Sequence, residues 1–187
     1  MVLNNFFDKF IFTSQLKFKD YNFFVLDIPF VIQPVETLLR LFQLDDATVN
    51  KAIYYSVKKS TQESLIPKFK AGATKPKFLN LAQAFFTASG FGSMQNNQLD
   101  ETTHRAVIVV SHSPFASALQ GKVSHPIDHY LRGVLAAIFS EYFETPVDVV
   151  ESECHSLKAG DCTFIIKPLT EFDFTKPLTQ RQLSLDG

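Results

Sequence analysis

The sequence has no tryptophan and only two methionines, two cysteines and seven glycines. Two cysteines do not make a disulfide framework, so the chain does not read as a small secreted scaffold, and a cytoplasmic protein is expected. An excess of charge of one sign is also lacking. Eighteen Lys and Arg stand against 19 Asp and Glu, a formal net charge of −1, so no global field draws the chain to DNA or RNA. No run of about 18 apolar residues occurs, so no membrane-spanning helix is expected. The start, MVLNNFFDK, has no basic lead and carries charge where a signal peptide is apolar, so no targeting segment is read. The sequence contains no P-loop, no GxGxxG, no GxSxG elbow and no HEXXH. Without a nucleotide fingerprint or a catalytic constellation, a binding module is favoured over an enzyme. No internal repeat is present.

What the chain has is phenylalanine: 20 Phe and five Tyr in 187 residues. Phe has no polar atom to satisfy, so it can fill a dry core or line a dry cavity at no hydrogen-bond cost. With 45% apolar and 20% charged residues the chain is globular, and its length suits one domain. Charge is unevenly spread. Residues 1–90 hold 11 basic and 7 acidic residues, and residues 91–187 hold 7 and 12. The basic excess is Lys51, Lys58, Lys59, Lys68, Lys70, Lys75 and Lys77. It reads as a solvated helix face, or as attraction to an anionic partner or membrane surface.

Segments 10–18 and 21–28 predict a hairpin about Lys19-Asp20. Pro34 opens a helix over 34–43 with Val35, Leu38, Leu39 and Phe42 on one stripe. Asp45 or Asp46 caps a second helix to about Leu65, which Pro67 ends, and 68–76 is a loop. A third helix, 77–89, carries Phe78, Leu81, Ala82, Phe85 and Phe86 at helical spacing and closes at Gly90. Residues 94–99 read as a strand, or as a turn through Asn96-Asn97, and 106–110 as a strand. In 126–143 a wide apolar face runs from Ile127 to Phe143, with Pro126 in the first turn and Arg132, Ser140, Glu141 and Glu144 on the wet side. Strands 147–153 and 162–167 follow, and the tail 168–187 adds no clear core element. This order predicts an α+β domain with a mainly antiparallel sheet and helices packed on one face.

All five histidines (His104, His112, His125, His129 and His155) and both cysteines fall between residues 104 and 162. Cys154 and Cys162 stand at the two ends of the proposed last hairpin, which brings both sulfurs to one end of the sheet. Three readings stay open: two thiolates of a zinc site that needs two more ligands, a redox disulfide, or two small buried hydrophobes. Asp128 and His129, early in the long helix, are further candidate ligands, and His125 and His155 are near in sequence. Glu151 shares a strand face with Val147 and Val149. If that face is the core, Glu151 is an inward carboxylate with a raised pKa; if a bulge intervenes, it is a surface residue.

The stretch 147–166, VDVVESECHSLKAGDCTFII, resembles the end of the 4-vinyl-reductase domain. The matching pieces are a valine-rich strand, Glu151, Cys154, a turn with Gly160, Cys162 and a strand with Phe164. SHSPFASAL at 111–119 is similar to the family's Ser-Pro-Phe-Ala element, and IDHYLRGVLAAIF at 127–139 to its helix bearing Gly133. The 4-vinyl-reductase-like region is 76–167; residues 1–75 form an unmatched hairpin and helices of the same domain, and 168–187 a tail. The resemblance implies a fold shared with TRAPP transport-particle subunits and haem nitric-oxide-binding domains. It implies a homodimeric sensor holding an apolar ligand (aromatic, acyl or tetrapyrrole-like), with structural zinc near the two cysteines. Zinc-holding members have a third Cys about five positions before the helix glycine. Here Asp128 stands there, followed by His129, so the metal set is Cys154, Cys162, Asp128 and His129. Haem is not expected, because Tyr54-Tyr55-Ser56-Val57-Lys58 imitates the haem family's YxSxR but precedes every His. The ligand is expected between the third helix, the long helix and the sheet, against Phe85, Phe86, Phe91, Leu131, Leu135 and Phe139, in a cavity above about 300 Å³. The alternatives are an accessory protein in tetrapyrrole vinyl reduction and a TRAPP-like dimeric adaptor without ligand.

Overall fold

A computed structural model of the chain describes residues 16–20, 22–25, 28–42 and 46–183. Residues 10–15 of the expected hairpin, Asp45, and 184–187 of the tail lie outside the described residues. Strands β1 (Leu16–Lys19), β2 (Asn22–Val25) and β3 (Ile28–Phe30) form a three-stranded antiparallel sheet. The β1–β2 turn contains Asp20 at φ +49°, a region that Asp tolerates. The hairpin expected from the sequence has only two strands, and β3 is the addition. Its Pro29 lies opposite Phe24 on an edge strand, where a missing N–H breaks no inner ladder.

Helix α1 (Val35–Phe42) is followed by α2 (Ala47–Ser60). The Asp46 carboxylate caps α2, accepting from the N–H of Thr48 at 2.8 Å and of Val49 at 3.2 Å. Pro67 does not end this helix, contrary to the sequence reading. The chain widens into a π-helical turn (Thr61–Leu65) and continues as α3 (Ile66–Lys70). Pro67 thus falls in the first turn of α3, where its missing N–H is tolerated. Helix α4 (Lys75–Ala88) starts earlier than expected, with Pro76 in its first turn, and Gly90 leaves it at φ +81°.

The second sheet has β4 (Ser93–Asp100), β5 (Arg105–Ser111), β6 (Asp148–Glu153) and β7 (Cys162–Lys167). It is antiparallel throughout, in the order β4-β5-β7-β6. No turn breaks β4 at Asn96-Asn97; the ladder shifts between Asn96 and Gln98 and absorbs the extra residue as a bulge. The short helix α5 (Pro114–Ala118) and the long helix α6 (His129–Phe143) join β5 to β6.

Helix α6 is the centre of the core. It begins at His129, not at Pro126, and it lacks the expected wet face near its middle. Arg132 is 1% exposed and Ser140 is buried. A helix buried almost all round carries no readable polar stripe. Gly133 allows α2 to cross it closely, because a Cβ there would come within 2.7 Å of the Tyr54 carbonyl oxygen and 2.9 Å of Val57 Cβ. The tail is also part of the core, against expectation. Leu169–Glu171 form a 3-10 turn, and α7 (Pro177–Leu183) buries Thr179, Gln182 and Leu183. The basic stretch finds acidic partners: Lys58 with Asp148, Lys59 with Glu63, Lys70 with Glu141 and Lys75 with Glu144. Among the described residues, no helix is long and apolar enough to cross a membrane.

The α2–α6 crossing yields a prediction. Gly133→Ala overpacks this contact and lowers stability by about 1–3 kcal/mol. Urea unfolding measures it, and an unchanged midpoint contradicts the crossing.

Candidate functional site

Asp128, Glu151, Cys154 and Cys162 converge in the core, with one ligand-type atom of each within 4.8 Å of the others. The β6–β7 hairpin supplies three of them. Glu151 lies opposite Phe164 and Glu153 opposite Thr163, with a shift of register between. The extra residue of this bulge changes the alternation, so Cys154, three positions beyond Glu151, returns to the inner face. Glu151 itself precedes the bulge and is fully buried, which makes it the inward carboxylate. Asp128 stands at the N-cap position of α6 but makes no side-chain cap. Its carboxylate turns into the cluster and accepts from Ser113 Oγ at 3.5 Å. The Asp128 N–H donates to Glu151 Oε2 at 3.0 Å. Cys154 Sγ lies 2.8 Å from Ser156 Oγ, and the His155 N–H donates to Cys162 Sγ at 3.3 Å. Asp128 Oδ1 and Glu151 Oε1 are buried without a hydrogen-bond partner.

Four acidic groups in one dry place disturb each other's ionisation. Burial, with the nearby Cys154 charge, raises Asp128 to about 8. Burial, with Asp128 beside it, pushes Glu151 well above the carboxylate range. The hydrogen bond between the thiols lowers Cys154 and raises Cys162. Two carboxylates and two thiols, with two orphaned oxygens, are a donor set that fits a divalent cation. His129, expected in this set, is not in it. Its Nδ1 faces Arg132 Nη1 at 3.1 Å, and burial beside that guanidinium lowers its pKa to about 2. Glu151 takes the fourth place. The sequence signal for it is the strand face it shares with Val147 and Val149.

Arg132 builds a second buried arrangement. Its Nε donates to the Val149 carbonyl at 2.9 Å and its Nη2 to the Gln182 carbonyl at 2.8 Å. The guanidinium lies 4.5 Å from the Tyr54 ring centroid. The Tyr54 hydroxyl donates to Asp148 Oδ1 at 2.6 Å, and Lys58 Nζ donates to the same oxygen at 2.7 Å. The Gln182 side chain pairs with the backbone of Glu151 through both its amide atoms, each at 2.9 Å. The cluster strand is thereby tied to α7. The sequence carries no signal for this use of Arg132 or Gln182.

A cavity of about 270 Å³ opens between the π turn, α4, α6 and β3. Phe85, Phe86 and Phe91 line it. Leu131, Leu135 and Phe139 do not; they are fully buried in the core, and α6 presents Tyr130, Val134 and Ile138 instead. The expected inward face of α6 is off by one position, because a helix apolar on all sides does not reveal its phase. The far wall is Pro29 and Phe30 of β3, not the four-stranded sheet. The volume falls just short of 300 Å³ but exceeds the ~150 Å³ that holds a benzene ring. No residue of the acid–thiol cluster lines the cavity, yet both reach the first turn of α6, through Asp128 and Tyr130.

Residues 106–168 match the 4-vinyl-reductase domain family, and the chain carries such a domain over that stretch. The fold is that of a solved structure, the phenol-responsive sensory domain of the transcription activator PoxR with phenol. The TM-score is 0.72 at 13% identity, covering 92% of this chain and 90% of that one. A trafficking protein particle complex subunit 3 from Naegleria fowleri, covalently bound to palmitic acid, aligns at TM-score 0.49 and 15% identity over 71% of this chain and 93% of that one. A vinyl-4-reductase family protein from Methanocaldococcus jannaschii aligns at 0.40 and 18% over 74% and 96%. No curated protein matches the chain.

The cluster predicts a pH effect. Glu151 has a folded pKa above its unfolded value, so its contribution to stability is complete below about pH 4 and is lost as pH rises. Glu151→Gln cannot ionise. In chelator-treated protein the melting temperature of E151Q therefore gains on that of the wild type between about pH 5 and pH 8. A gap that is constant or narrows over that range contradicts the buried carboxyl.

Proposed function

We propose that this domain is a sensor module that holds one small, mainly apolar molecule in the cavity lined by Phe85, Phe86 and Phe91. The observation that carries the reading is the cavity itself: about 270 Å³, walled by aromatic and aliphatic side chains. The 4-vinyl-reductase domain and the shared fold of the phenol-responsive PoxR domain support it. The volume favours a single aromatic ring or a short acyl chain over a tetrapyrrole, which argues against an accessory role in vinyl reduction.

The same reading includes a zinc ion held by Asp128, Glu151, Cys154 and Cys162. A bound zinc supplies the positive charge that lets the two carboxyls and two thiols shed their protons. The residues themselves then tie the start of α6 to the β6–β7 hairpin. The reading also includes a homodimer. Phe18, Val31 and Ile32 are 74%, 77% and 80% exposed on and beside the N-terminal sheet, apolar area that suits a contact with a second copy.

Native mass spectrometry of freshly purified protein tests these points together. The expected species is a dimer with one zinc per chain, which Cys154→Ser and Cys162→Ser each abolish. Toluene, added as a probe, binds the wild type, and Val134→Phe, which fills the cavity, abolishes that binding while zinc is retained. A zinc-free monomer, or toluene binding untouched by V134F, contradicts the reading.

A further inference from the structure

The cavity is not a plain hydrocarbon slot. None of its lining residues is charged, but five carry a hydroxyl: Ser60, Thr61, Ser64, Ser89 and Tyr130. Three of these come from one place, the junction of α2 with the π turn, where Ser60, Thr61 and Ser64 share a face. Thr61 is only 8% exposed, and its hydroxyl makes no hydrogen bond to any described residue. In an ordinary helix a buried Thr returns its hydroxyl to a carbonyl one turn back. Here it does not, and a buried hydroxyl left unpaired lacks about 1 kcal/mol or more of stabilisation that a partner would provide. A single widened π turn inside a continuing helix is itself a feature that recurs at functional sites.

We infer that the π turn reads the polar end of an uncharged amphiphile. The Thr61 hydroxyl, with Ser60 and Ser64 beside it, pairs with a hydroxyl of the ligand, while the apolar body lies against Phe85, Phe86 and Val134. The ligand class is a neutral single-ring alcohol or phenol. A hydrocarbon of the same shape leaves Thr61 unpaired. A carboxylate of the same shape must shed its hydration with no Lys, Arg or His in the lining to receive it. A site built around a hydrogen bond rejects an analogue that lacks the group, far better than an apolar pocket rejects one of different length. This inference rests on the cavity being the ligand site, as proposed above.

The test is calorimetric titration of the intact chain with three probes of one shape: toluene, 4-methylphenol and 4-methylbenzoate, at neutral pH. The expected order is 4-methylphenol about five- to tenfold tighter than toluene, from one net hydrogen bond, and no binding of 4-methylbenzoate. Thr61→Val keeps the shape of the side chain and removes the hydroxyl. It brings 4-methylphenol down to the level of toluene and leaves toluene unchanged; Ser64→Ala gives a smaller loss of the same kind. If toluene binds as tightly as 4-methylphenol, or if T61V leaves their ratio unchanged, the polar readout is wrong although the cavity still binds. If 4-methylbenzoate binds best, the charge argument is wrong. If none of the three binds, the ligand site and this inference fall together.

Discussion

Arg132 carries a guanidinium into the middle of the core, and much of the architecture follows from what that charge requires. An unpaired charge in a dry interior is expensive, so each of its polar atoms needs a partner close by. The partners come from four elements. The Val149 carbonyl is on β6, the Gln182 carbonyl on α7, the His129 ring on α6 itself, and the Tyr54 face on α2. Tyr54 is held in turn by Asp148, which Lys58 neutralises. Gly133, the next residue of α6, brings the α2 backbone near enough for this to happen. The central helix is thus locked by polar contacts in a fixed rotation as well as by apolar packing.

That fixed rotation gives the two ends of the site their geometry. The start of α6 delivers Asp128 to Glu151, Cys154 and Cys162, and one turn of α6 delivers Tyr130 and Val134 to the cavity. Gln182 reaches across to both backbone atoms of Glu151, so the C-terminal helix is clamped onto the strand that carries the cluster. The acid–thiol cluster and the cavity share no residue. They share the helix, which makes the cluster a brace for one wall of the cavity and not a part of the pocket.

Much of this is legible in the sequence. The α+β order, the last hairpin, the inner faces of β5 and β7 and the convergence of both cysteines follow from alternation, turn residues and the 4-vinyl-reductase resemblance. Three things are not legible, each for a physical reason. The rotation of α6 is hidden because its pattern is apolar on several sides, so Leu131, Leu135 and Phe139 make as good a wall on paper as Tyr130, Val134 and Ile138. The burial of Arg132 is hidden because an arginine in an amphipathic pattern reads as its wet face; only the fold shows the carbonyls that receive it. The π turn is hidden because Pro67 normally stops a helix, and nothing local in Thr61–Leu65 announces a widened turn that admits the proline. The place of Glu151 in the cluster is half visible: alternation puts it inward, but the bulge that brings Cys154 beside it does not show.

A crystal structure of the protein soaked with 4-methylphenol tests the central claim most directly. The account predicts one ring in the cavity, bounded by Phe85, Phe91 and Val134, with its oxygen toward Thr61. An empty cavity, or the ring bound elsewhere on the molecule, contradicts it.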